Sequence, residues 1–209
     1  MRFILASASP ARLTALNAAG IHPEVIVSGV DESTVAEESP GRLCRALAKL
    51  KAKAVAADVS DAYVLGCDSV LEFDGEVRGK PANAEEAIRR WKQMRGHSGV
   101  LHTGHCLIDT TRDRRLTRSS STTVHFADVT DREIADYVET GEPLRVAGAF
   151  TIDGFGAPFI ERVEGDPGTV VGVSLPMLRQ MLITWGVPMS QVWNTEKLPS
   201  PLRQPCSDR

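Results

Sequence analysis

Residues 3–12 limit what this chain can fold into more than any other stretch. Phe3-Ile4-Leu5 is a short apolar run of the kind that forms a buried strand. Shortly after it, Ser9 and Pro10 supply a helix N-cap and first helical residue. Leu13, Leu16 and Ala19 then recur at helical spacing, and Gly20 supplies the stop. A strand that turns straight into a helix leaves the first helical N–H groups open and the positive end of the dipole facing outward. That arrangement favours an anion, phosphate in particular. Ser7 and Ser9 add hydroxyls at the corner, and Arg12 adds a planar fork matched to phosphate oxygens. Taken alone, the same residues also describe an ordinary capped helix with a surface arginine.

Strand and helix patterns alternate through the first half of the chain, which predicts an α/β fold with a central mixed sheet and helices on both sides. Glu24-Val25-Ile26-Val27 reads as a strand. Ser39-Pro40 opens a second helix with Leu43, Leu47, Leu50, Ala54 and Ala57 along one face. Tyr63-Val64-Leu65-Gly66-Cys67 is a buried strand that delivers Asp68 at its C-terminal end, and residues 70–77 form a hairpin around Asp74-Gly75. Asn83 with Glu86, and Thr130 with Glu133, are capping boxes that open further helices. Residues 100–108 and 120–126 have strand character. The glycine-rich residues 147–156 read as strand and tight turn, and Ser174 opens the last helix. Residues 1–190 are expected to form one domain and residues 191–209, polar and proline-rich, a disordered tail.

Composition narrows the function classes. A chain of 209 residues with a net charge of −3 has no general electrostatic drive toward nucleic acid or an anionic membrane. Any phosphate site is therefore a local concentration of positive charge. The apolar run after Arg2 is too short for a signal peptide and no stretch approaches a membrane span, so a cytoplasmic location is expected. Cys44, Cys67, Cys106 and Cys206 include no C-x-x-C pair, which argues against a zinc site or a disulfide framework.

Asp68 is the sharpest candidate for chemistry. A carboxylate emerging from a strand end can hold a divalent cation or take a proton from water, although it can also simply cap a turn. The position two residues on is Val70, which disfavours the paired aspartates of aspartyl-phosphate chemistry. Glu32, in the acidic turn Asp31-Glu32, would supply a second carboxylate if the loops converge. An exposed acidic turn is the plainer reading. Lys80, fixed between Gly79 and Pro81, suits a phosphate contact. Lys51 and Lys53 flank the two margins of the second helix's apolar face, and periodicity does not choose between them.

Leu5-Ala6-Ser7-Ala8-Ser9-Pro10-Ala11-Arg12, Val30-Asp31-Glu32, Leu47-Ala48-Lys49-Leu50-Lys51-Ala52, Gly66-Cys67-Asp68-Ser69-Val70, Gly79-Lys80-Pro81, Ala147-Gly148-Ala149-Phe150 and Val170-Val171-Gly172-Val173-Ser174-Leu175-Pro176 together resemble the Maf family. The resemblance spans residues 3–187 in order and spacing. It implies an inosine-triphosphatase-like fold and a cytoplasmic, often homodimeric, nucleoside triphosphate pyrophosphatase that uses a divalent cation, Mg²⁺ or Mn²⁺. By motif position it implies that Asp68 is the catalytic acidic residue, that Glu32 is the other carboxylate toward the metal, and that Ser7, Ser9, Arg12, Lys51 and Lys80 contact phosphate. It thereby prefers Lys51 to Lys53.

The departures from the family's commonest form bear on substrate choice. Ala11, Ser69 and Asp153 stand where that form has Arg, Thr and Gln, residues associated with preference for dTTP and UTP. A branch associated with 7-methylguanosine triphosphate has an aromatic, a Gln and an acidic residue there, and this chain matches only the last. Ser69 and Asp153 are therefore expected to read the base. The competing reading is a nucleotide- or DNA-binding regulator of cell division without turnover; the acidic balance and lack of a basic stripe argue against broad nucleic-acid binding. A phosphomonoesterase would need a covalent nucleophile or a two-metal cage that the sequence does not offer.

Overall fold

The computed structural model describes residues 1–37 and 39–194. One seven-stranded mixed sheet runs in the order β2-β1-β3-β5-β6-β7, with β4 paired to the free edge of β3. The strands are β1 (Arg2–Leu5), β2 (Glu24–Val25), β3 (Ala62–Phe73), β4 (Glu76–Arg78), β5 (Ser98–Asp109), β6 (Arg114–Phe126) and β7 (Ile160–Glu164). β1 is parallel to β2 and β3, and the remaining pairs are antiparallel. The helices are α1 (Pro10–Ala18), α2 (Pro40–Ala56), α3 (Ala84–Met94), α4 (Asp131–Glu139), α5 (Pro167–Val171) and α6 (Leu175–Thr184).

Alternate residues of β1, β3 and β5 face opposite cores, as a two-residue period requires. Phe3, Leu5, Tyr63, Leu65 and Leu107 pack against Leu16 of α1 and Leu178, Met181 and Leu182 of α6. On the other face Ile4, Val64 and Cys106 meet Ala48, Ala52 and Val55 of α2. The far halves of the long strands carry a third, aromatic cluster in which Trp91 of α3 packs edge-on to Phe126 and to Tyr137 of α4. Helices thus cover both sides of a mixed sheet, as expected.

Several local signals fold as read. Ser9 accepts from the Arg12 N–H, Thr130 and Glu133 complete their capping box, and Asp74 and Gly75 both take positive φ in the hairpin turn. Others differ. Asp68 is not at a strand end: β3 continues unbroken to Phe73, absorbing the first half of the expected hairpin, so Asp68 lies mid-strand. β2 is only Glu24–Val25, because it pairs with nothing beyond β1. Glu86 receives the N–H of Ala82 instead of that of Asn83, which leaves the capping box half made. The glycine-rich segment forms short 3-10 turns, with Gly148 and Ala149 at positive φ, and no strand. Of the residues assigned to the tail, Val192 packs into the core and the Asn194 N–H bonds the Gly20 carbonyl. Residues 195–209 of that tail lie outside the described residues.

The buried stripe of α2 is also displaced from the expected leucines. Cys44, Ala48, Ala52 and Val55 face the sheet together with Leu47. The reason lies opposite them. A Cβ on Gly66 would overlap the Ala48 carbonyl oxygen, and one on Gly104 would overlap the Cys44 carbonyl group. The helix lies backbone-on-sheet, and only small side chains fit the seam. This approach brings Lys51 over β3. Gly104→Ala is accordingly expected to destabilise the protein by about 2–3 kcal/mol through overpacking. The check is urea unfolding at a constant m-value.

Candidate active site

β1 covers only Ala62–Leu65 of its neighbour and β4 only residues 71–73, so residues 66–70 of β3 have no strand beside them on that edge. Asp68 and Ser69 occupy this open stretch. The N-terminus of α1 borders it on one side and the Arg78-Gly79-Lys80 segment on the other.

At the first border the corner is built around Arg12, which is 9% exposed. Its Nε donates to the Gly172 carbonyl at 2.8 Å, Nη1 to Ser7 Oγ at 3.0 Å and Nη2 to Ser69 Oγ at 3.1 Å. Ser7 Oγ also accepts from the Ser9 N–H at 3.2 Å. A guanidinium carries five N–H groups, so these bonds leave one N–H free on each terminal nitrogen. Among the described residues no carboxylate lies within ion-pair distance of Arg12. A buried cation without a counter-charge is costly, and it is stabilised by an anionic ligand. Two free N–H groups on adjacent nitrogens suit two oxygens of one phosphate.

The second cluster is acidic. Lys51 Nζ lies 2.5 Å from Asp68 Oδ1 and 2.8 Å from Glu32 Oε1. Glu32 begins a 3-10 turn, Glu32–Thr34, that Asp31 caps by accepting from the Ser33 N–H. The turn therefore comes over α2, and Glu32 converges with Asp68 on Lys51. Lys53, in contrast, points to solvent. Burial pushes the Asp68 carboxyl above the usual aspartate range, and the Lys51 and Arg12 charges pull it only part of the way back. Burial also pushes the neighbouring Cys67 thiol up to about 12, so it is no thiolate nucleophile.

Lys80 and Asp153 stand apart from these clusters. Both are exposed, and no hydrogen bond or ion pair among the described residues joins either to the rest of the site. The Asp153 loop is nevertheless stiff. One carboxylate, Glu142, accepts from Tyr137 Oη, Thr151 Oγ1, and the Phe155 and Gly156 N–H groups at 2.8, 2.6, 3.0 and 3.0 Å. Burial raises its pKa, but these four donors bring it below the usual glutamate range. A Cβ at 154 would displace the Glu142 carboxylate, and one at 156 would overlap Tyr137 Oη and the Thr151 backbone. Nothing in the sequence marks Glu142, since its partners are brought together only by the turns of residues 147–156.

A family model described as Maf-like protein matches residues 2–185. The chain belongs to the Maf family. It is 59% identical over 208 residues to a protein of Salinispora tropica named nucleoside triphosphate pyrophosphatase, covering 96% of this chain and 92% of that one. A relative of the same name from Streptomyces avermitilis is 56% identical, covering 92% and 94%. One from Trichormus variabilis is 50% identical, covering 92% and 98%. Among solved structures, a HAM1 protein from Coxiella burnetii aligns over 88% of this chain and 99% of that chain at 15% identity, with a TM-score of 0.46.

In this Maf chain the raised pKa of Asp68 has a consequence for stability. The folded state holds the Asp68 proton more tightly than the unfolded chain does. Stability is therefore lost as pH rises through the window from the ordinary aspartate pKa to the raised one, and the deficit persists above it. Asp68→Asn should then melt no lower than the parent at pH 7, and any advantage should vanish as pH falls below the ordinary aspartate value. Paired thermal melts across that range test this.

Proposed function

We propose that this Maf protein hydrolyses nucleoside triphosphates to the monophosphate and pyrophosphate. The observation that supports this most is Arg12, a buried guanidinium with two unused N–H groups and, among the described residues, no carboxylate partner, set at a helix N-terminus beside a desolvated aspartate. The names of its relatives point the same way. The triphosphate would lie along the open edge of β3, with Ser7, Ser9, Arg12 and the first N–H groups of α1 at one border and Lys80 at the other. Lys51 stands between phosphate and carboxylates.

The attacking water adds to the α-phosphorus while the bond from that phosphorus to the bridging oxygen breaks and pyrophosphate leaves. The water proton passes to Asp68, whose burial makes it a better base than a solvated aspartate. Arg12, Lys51 and Lys80 hold the departing charge. Asp68 and Glu32 fit a divalent cation: their oxygens already flank one ammonium ion, and two carboxylates with phosphate oxygens form a hard-oxygen set suited to Mg²⁺ or Mn²⁺. When bound there, the cation supplies positive charge against the triphosphate and acidifies the water. A homodimer in the cytoplasm belongs to the same reading; among the described residues no helix is long and apolar enough to cross a membrane.

Asp68→Asn keeps shape but loses the proton acceptor, so turnover should fall at least ~100-fold. The parent should release pyrophosphate and nucleoside monophosphate in equal amounts. Release of both products from a panel of nucleotides with Mg²⁺ or Mn²⁺ tests both points, and near-parental turnover in the folded variant defeats the assignment.

Asp153, presented on its stiff loop, would read the base. An ionised carboxylate only accepts hydrogen bonds, which favours guanine, whose N1–H and exocyclic amine are adjacent donors. Asp153→Gln should move kcat/KM from GTP toward UTP by about tenfold, since a matched polar contact is worth about 1–2 kcal/mol. An unchanged ratio shows that Asp153 does not touch the base.

A further inference from the structure

We infer that Thr103 is a positioning residue for Arg12, and that Ser69 serves the same arginine and has no proton with which to read a substrate base. Only the identity of the ligand rests on the pyrophosphatase reading; the geometry is independent of it.

Thr103 sits on β5, fully buried, between Ser69 of β3 and the first turn of α5. Its Oγ1 lies 2.6 Å from the Thr169 carbonyl oxygen and 2.8 Å from Ser69 Oγ. Ser69 Oγ in turn lies 3.1 Å from Arg12 Nη2. The two ends of this row fix everything between them. A carbonyl oxygen only accepts, so the single hydroxyl proton of Thr103 lies on the Thr169 contact. A guanidinium only donates, so Arg12 supplies the proton of its contact with Ser69. The middle contact then has one possible donor, Ser69. Every hydrogen in the row points inward, from Arg12 to Ser69, to Thr103, to Thr169.

Ser69 therefore has its only proton turned away from the open edge of β3 and a lone pair turned to Arg12. It holds the guanidinium at one corner, and without Thr103 that hydroxyl would be free to rotate. The other corner is held from the same stretch of chain. Gly172 receives Nε, and at its φ of +108° an added Cβ would stand 2.9 Å from that nitrogen. His105 Nε2 accepts the Ser174 N–H at 2.8 Å. Burial drives the pKa of that imidazole down to about 4, so it stays neutral and keeps its acceptor lone pair. Thr103 and His105, neighbours on one face of β5, thus anchor Thr169 and Ser174 on either side of the carbonyl that grips Arg12.

Removing the Thr103 hydroxyl should weaken recognition of the phosphates without changing choice of base. In Thr103→Val, kcat/KM for GTP and UTP should fall together by roughly tenfold. The loss should lie mainly in KM, and affinity for inorganic pyrophosphate measured by calorimetry should fall by the same factor. Thr103→Ser should restore all of these. Ser69→Ala should match Thr103→Val, the double variant should be no worse than either single one, and Ser69→Ala carries the test if the valine variant does not fold. Pyrophosphate affinity equal to the parent's in the folded variants, or a GTP to UTP ratio that shifts by more than about threefold, overturns the inference. A parent protein that binds pyrophosphate but cleaves no nucleotide overturns the pyrophosphatase reading alone, and one with no affinity for pyrophosphate overturns both.

Discussion

Gly66 and Gly104 face the backbone of α2 across a gap that no side chain could occupy. Where a helix usually stands off a sheet by the depth of its side chains, this one rests on the strands through Cys44, Ala48 and Ala52. Lys51 grows from the same surface, one position before Ala52, and its ammonium reaches both Asp68 and Glu32. A helix held further out by leucines would carry the lysine away from the strand and leave two carboxylates without a cation between them. The seam is thus a stability feature and a positioning feature at once.

The two charge clusters divide the work of the site by opposite means. Around Asp68 the protein removes water and supplies an ion pair, so the carboxylate stays ionisable but reluctant. Around Arg12 it supplies three hydrogen-bond acceptors and, among the described residues, no carboxylate within ion-pair distance. The arginine is oriented without being neutralised, which leaves its full charge for whatever enters. Both arrangements depend on the short β1: because it ends at Leu5, the middle of β3 is left uncovered, and the chain leaving β1 can turn across it into α1.

Signals confined to a few neighbouring residues were legible in the sequence. Ser9-Pro10, Asp74-Gly75 and the Thr130–Glu133 box fold locally and need no distant partner. The leucine stripe assigned to α2 failed for a physical reason. Hydrophobic periodicity counts apolar mass, and the seam selects small residues where two backbones meet. Asp68 reads as a strand end because a charged residue follows an apolar run and a hairpin turn lies close by, whereas β3 carries it in mid-strand opposite Lys51. Choosing Lys51 over Lys53 needed a family pattern at the level of sequence, while in space only Lys51 faces the carboxylates. Glu142 and Thr103 were out of reach altogether. Each matters through partners that single-chain patterning does not pair, such as Phe155 and Gly156 for the first and Ser69 and Thr169 for the second.

The bond from Arg12 to the Gly172 carbonyl joins residues 160 positions apart. The anion corner is written almost wholly in the first dozen residues, yet it has no fixed arginine until the stretch that carries Gly172 has been made and docked. During synthesis the amino-terminal segment leaves the ribosome long before its partner does. An unfinished chain lacks the Gly172 carbonyl that holds the Arg12 Nε. The corner is therefore complete only once nearly the whole chain has been made.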